Sequence, residues 1–154
     1  MNSSRAGFTV MELMLVIVFL ALAGSAALFM FKNQEQGTLE AEAQGVVSRV
    51  REARARAQAG VDGLSWGVHF ENATTSPFYA VFPGGTYVSA SSTLYYFPSS
   101  VGYGTLPQGS STDIVFTKLS GISSVSTTIQ FALRSDTSKT ETLQISSEGN
   151  VLLQ

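Results

Sequence analysis

No cysteine occurs in the 154 residues, so neither a disulfide framework nor a thiolate metal site is available, and packing and hydrogen bonds must hold the fold. Histidine is almost as scarce. The single one, His69, falls on the polar phase of an alternating stretch, and no HExxH, GxSxG or phosphate-loop spacing accompanies it. A surface side chain is expected there, with no catalytic residue, cofactor site or metal ligand in the chain. Bases are thin in the distal part: from Gly60 onward there are three (Lys118, Arg134, Lys139) against six acids (Asp62, Glu71, Asp113, Asp136, Glu141, Glu148). Non-specific nucleic-acid affinity comes mostly from phosphate neutralisation by Lys and Arg, so DNA is not an expected partner of that part.

Charge of either sign nearly vanishes between residues 8 and 31, where Glu12 is the one ionisable side chain among twenty-four. A helix of that length would cross the ~30 Å hydrocarbon core of a bilayer, and a transmembrane helix is the expectation. Arg5, the one charged side chain of the leader, would stay on the cytoplasmic side with the rest of the chain outside. This describes a single-pass protein of the cytoplasmic membrane. Gly7 stands before the apolar run, so a cut there would leave the run attached, unlike a secretory signal whose cleavage site follows its apolar core. A carboxylate near the apolar core costs about 2.5–3.5 kcal/mol on insertion scales. Glu12 therefore has a partner to offset the charge, or it snorkels to the headgroups.

After a polar patch at Lys32-Asn33-Gln34-Glu35-Gln36, apolar residues return at helical spacing: Leu39, Ala43, Val46, Val47, Val50, Ala53 and Ala57. They share one stripe at 100° per residue. One long helix is expected from Phe8 to about Ala59, in lipid over its first half and packed on a domain over its second, with Gly60 as C-cap. Gly24, Gly37 and Gly45 mark places where it could bend. Arg49, Arg51, Arg54 and Arg56 form the one dense basic cluster. On a helical wheel Arg49 and Arg56 lie on one side of the stripe and Arg51 and Arg54 on the other. Two readings are open: an anion-binding track, or arginines covering the edges of a packed stripe and pairing with Glu52 or a neighbour, which the split favours.

Beyond Gly60 the period changes from 3.6 to 2. Leu64, Trp66, Val68 and Phe70 alternate with polar or small residues, and strands are expected at residues 64–71, 77–82, 87–97, 113–119, 127–134, 141–146 and 151–153. Pro83-Gly84-Gly85, Pro107-Gln108-Gly109, Ser135-Asp136 and Glu148-Gly149-Asn150 separate several of them, and residues 98–112 read as a Ser/Gly-rich loop. The fold class is then α+β, a long N-terminal helix packed on an antiparallel sheet. The divisions are a leader (1–7), a transmembrane and assembly helix (8–31), an amphipathic half (32–60) and a β-rich extracytoplasmic domain (61–154).

The stretch Gly7-Phe8-Thr9-Val10-Met11-Glu12-Leu13 resembles the class III signal of type IV prepilins and pseudopilins. That resemblance implies a pilin-like fold and a peptidase that cuts after Gly7 and methylates the new amino terminus, Phe8. It also implies that Glu12, fifth in the mature chain, attracts the amino terminus of Phe8 in its own or the next subunit during assembly. Implied partners are the prepilin peptidase/methyltransferase, other pilin or pseudopilin subunits and an inner-membrane assembly platform. The distal half is similar to H-type minor pseudopilins and FimT-type minor pilins at residues 47–58 and at the ending Leu143-Gln144-Ile145-Ser146-Ser147-Glu148-Gly149-Asn150-Val151. Many pilins close a C-terminal loop with a disulfide, which this chain lacks. The expected function is a minor pilin or pseudopilin serving a type IV pilus or a type II secretion pseudopilus. The alternatives are a DNA-binding minor pilin and a membrane-anchored enzyme.

Overall fold

Helix propensity and the apolar stripe act together over residues 35–58. Leu39, Ala43, Val46, Val47, Val50, Ala53 and Ala57 are all buried, each at most 5% exposed, as a stripe of that spacing requires when it faces a core. A computed structural model of the chain describes the backbone of residues 9–154 and the side chains of residues 9–25 and 35–154. Helical backbone runs over α1 (Val10–Gln58). It ends where Gly60 takes a left-handed conformation (φ 64°), and the Ala57 carbonyl accepts from the N–H groups of Gly60 and Leu119. Gly60 is therefore the stop read from the sequence.

Eight strands follow: β1 (Trp66–Glu71), β2 (Phe78–Pro83), β3 (Thr93–Tyr96), β4 (Val101–Tyr103), β5 (Ser111–Phe116), β6 (Thr127–Leu133), β7 (Thr140–Ile145) and β8 (Val151–Leu153). They form two four-stranded antiparallel sheets, sheet A in the order β3-β2-β1-β5 and sheet B in the order β4-β6-β7-β8. In sheet A, Phe70 pairs Tyr79 and Val68 pairs both Val81 and Ile114, which puts these side chains on one face. In sheet B, Val101 pairs Leu133 and Ile129 pairs Leu143. These faces and the α1 stripe make one core. Aromatic rings join the sheets: Phe97 lies 5.6 Å from Phe131, and the Tyr103 hydroxyl donates to the Phe78 carbonyl at 2.7 Å.

The expected long helix packed on a single sheet is corrected in two respects. The side chains of α1 are described over two stretches, 10–25 and 35–58, which belong to different compact units, Met1–Gln34 and Glu35–Gln154. The stretch 35–58 meets two sheets where one was expected. No long apolar helix is found among the described residues, and none is long and apolar enough to cross a membrane. This overturns the expected transmembrane helix, and with it the single-pass anchor in the cytoplasmic membrane with an outside domain.

Strand expectations also change locally. The stretch 87–97 is strand only over β3, because its first part forms a 3-10 turn, Ser89–Ser91. The expected loop 98–112 contains β4. Three residues flanked by Ser and Gly carry no readable period, and their pairing with β6 is a long-range event.

Candidate assembly surface

Thr9 starts α1. Its carbonyl accepts from the N–H groups of Glu12 and Leu13, and its hydroxyl also accepts from Glu12 N–H at 3.2 Å. Thr9-Val10-Met11-Glu12 is thus a Ser/Thr-x-x-Glu capping sequence with its hydroxyl half formed. Glu12 sits exposed in the first turn, where the partial positive charge of the helix start favours a carboxylate. This local role is legible in the sequence and adds to any role in assembly. Gly7 and Phe8, the expected cleavage and methylation positions, lie outside the described residues.

Around and past Glu12 the surface is apolar on every side. Val10, Met11, Leu13, Met14, Leu15, Val16, Ile17, Val18, Phe19, Leu20 and Leu22 are 44–78% exposed. A helix that is apolar all round is normally buried by something, yet within 10–25 every described residue is exposed. Nothing among the described residues covers this stretch.

The four arginines of residues 49–56 take the split positions read from the helical wheel. Arg49 donates to Glu52 at 2.8 Å and lies over the Tyr95 ring, while Arg56 pairs with the same carboxylate at 2.5 Å and lies over Trp66. Arg51 and Arg54 donate on the other flank to the carbonyls of Val151 and Glu148. The Arg49 hydrogen bond, aided by Arg56, holds the Glu52 carboxyl below its ordinary value, and the same bond raises Arg49. Arg49 and Arg56 are committed to one carboxylate, and four side chains on two flanks do not make one anion track.

His69 differs from its expectation as a surface side chain. It lies on the face of sheet A turned from the α1 stripe, in register with Ala80 and Asp113, yet it is only 5% exposed. Tyr87 covers it, stacked at 3.8 Å between ring centroids and 4° between planes. Asp113 meets Nδ1 at 2.5 Å and Glu71 meets Nε2 at 3.2 Å. The carboxylates approach opposite sides of the ring and do not converge on a point for a cation; among the described residues no cluster suits a metal. Alternation placed His69 on the outer face correctly, but burial came from Tyr87, in a stretch whose strand character was itself misread. Two other phenols sit in the interior: burial pushes Tyr79 up to about 12 and raises Tyr103 further.

Neither a family model, nor a curated protein, nor a solved structure matches the chain.

Proposed function

We propose that the chain is a minor pilin or pseudopilin, a structural subunit that enters a helical fibre by packing residues 10–25 against the same stretch of other subunits. One observation carries the reading: the uncovered apolar surface of Val10 to Leu22. Covering each large apolar side chain gains about 1.5–3 kcal/mol, so contact with similar helices is strongly favoured. Packing would also leave the Glu12 carboxylate in apolar surroundings, which is tolerable when a cation meets it. The amino terminus of Phe8 in a neighbouring subunit is that cation in this reading, exposed once a prepilin peptidase has cut after Gly7. The Gly7, Phe8 and Glu12 pattern supports it.

Mass spectrometry of the amino terminus, on protein from cells that contain the peptidase, should find a chain starting at N-methylated Phe8. Chiefly full-length protein starting at Met1 would overturn the reading. Glu12→Val should leave the Glu35–Gln154 unit folded and sharply reduce entry into fibres, whereas wild-type incorporation would remove the role given to Glu12.

A further inference from the structure

The two flanks of residues 35–58 differ in what their arginines hold. Arg49 and Arg56 share Glu52. Among the described residues Arg51 and Arg54 meet no carboxylate; each donates to a backbone carbonyl at 3.1 Å, and the buried Arg54 Nε–H lacks an acceptor there.

Beside these two arginines runs β8, the last strand of sheet B. Asn150 and Gln154 face β7, since their carbonyls accept from Ser146 and Thr142, and Gln154 N–H donates to Thr142. Period 2 then turns the backbone groups of Val151 and Leu153 outward. Among the described residues only the Val151 carbonyl of these is engaged, by Arg51. Two open cavities flank Arg51 along the same edge. One, of about 500 Å³, is lined by Arg54, Ala55, Gln58 and Val151 among others, and the second, of about 370 Å³, by Gln44, Val47, Ser48 and Leu153. Residues 44–58 extend about 21 Å along α1, the length of about six residues of extended chain. No acidic residue lines either cavity, although residues 60–154 carry six acids and three bases.

We propose that the outer edge of β8 docks an extended acidic segment of another protein, which adds as a further strand of sheet B and sets carboxylates on Arg51 and Arg54. Strand addition is a recurrent way to recognise an extended peptide, with the main chain supplying affinity and side-chain pockets supplying specificity. An unprotected edge is a template for pairing, and a guanidinium can keep its carbonyl and still take a carboxylate on its other N–H groups. A second copy is the poorer occupant. Its open edge strand β3, Thr93–Tyr96, has no acid, and Asp113 of β5 is held by His69. This inference stands apart from the fibre reading, which concerns residues 10–25.

The test uses the ¹⁵N-labelled full chain in a non-ionic detergent, titrated with an end-blocked peptide of about six residues that alternates valine and glutamate. Glutamine and lysine versions of the peptide serve as comparisons. The glutamate peptide should shift the Val151 and Leu153 amide signals and bind at least about tenfold tighter than the glutamine version. Arg51→Gln with Arg54→Gln should bring that ratio to about one. Leu153→Pro removes an N–H that β7 does not use and should abolish binding of both; if that variant fails to fold, the arginine pair still decides. Equal binding of the lysine peptide, shifts centred on β3, or no saturation would each overturn the proposal. So would concentration-dependent shifts of Val151 and Leu153 without peptide, which would give the edge to a second copy.

Discussion

Residues 10–25 and 35–58 of α1 are both helical, yet their side chains meet opposite fates. In the first stretch Phe19 is 65% exposed and Leu20 67%; in the second Val46, Val50, Ala53 and Ala57 are at 0%. Their patterns explain the contrast. A stripe that is apolar on one side and charged on the other is satisfied by one core. A surface that is apolar on every side cannot be satisfied by a single face and needs several neighbours. The second stretch meets its own sheets, and the first is the surface on which the proposed fibre packing rests.

The sharpest way to break this comparison is to truncate one phenylalanine in each region and follow urea unfolding of the full chain by the fluorescence of Trp66. Phe131→Ala, at a fully buried position, should cost about 3–5 kcal/mol. Phe19→Ala should change the stability of the Glu35–Gln154 unit by less than about 0.5 kcal/mol. Comparable losses would mean that the first stretch contributes to the domain core after all.

Glycines give the next test. Gly149 has φ 81°, and a Cβ there would lie 2.2 Å from the Gly121 carbonyl oxygen and 2.9 Å from Arg54 Nε. Gly149→Ala should destabilise by about 2–3 kcal/mol through strain and overlap. A shift of the urea midpoint too small to measure would show that the turn before β8 is looser than its geometry.

A smaller, pH-dependent effect belongs to Glu52. Its carboxyl is lowered from the ordinary 4.5, first by the Arg49 hydrogen bond. The resulting stability is present above that ordinary value and is lost as pH falls through the lowered one. Side chains exposed by 32–42% are screened by water, so the contribution is about 0.2–1 kcal/mol. Unfolding curves of wild type and Glu52→Gln should converge on acidification below 4.5. A gap that persists or widens would contradict the assigned pairing.

Smallest is Gly45→Ala. A Cβ at Gly45 meets nothing within 4 Å, and alanine gains about 0.5–1 kcal/mol of helix preference over glycine. The urea midpoint should rise; a fall would show that the glycine serves a bend.

Much of this architecture was written in short-range pattern. The stripe from Leu39 to Ala57, the stop at Gly60 and the alternation of Trp66, Val68 and Phe70 are properties of residues within one or two turns of each other, and sequence carries such periods directly. The Thr9-x-x-Glu12 cap is equally local, and reading Glu12 for assembly alone passed over it. Contacts between distant residues could not be read this way. The division into two sheets depends on Val101 finding Leu133, and the burial of His69 depends on Tyr87 folding over it. Arg51 reaches Val151 across a hundred positions of sequence. The sequence by itself determined the stripe of residues 39–57, the stop at Gly60 and the alternation of β1, and left residues 10–25 apolar on every side, because periodicity and composition act residue by residue. Only the tertiary structure decided which strands pair, which arginines lack a carboxylate and which edge stays open, because those depend on closing long loops whose partners no local pattern names.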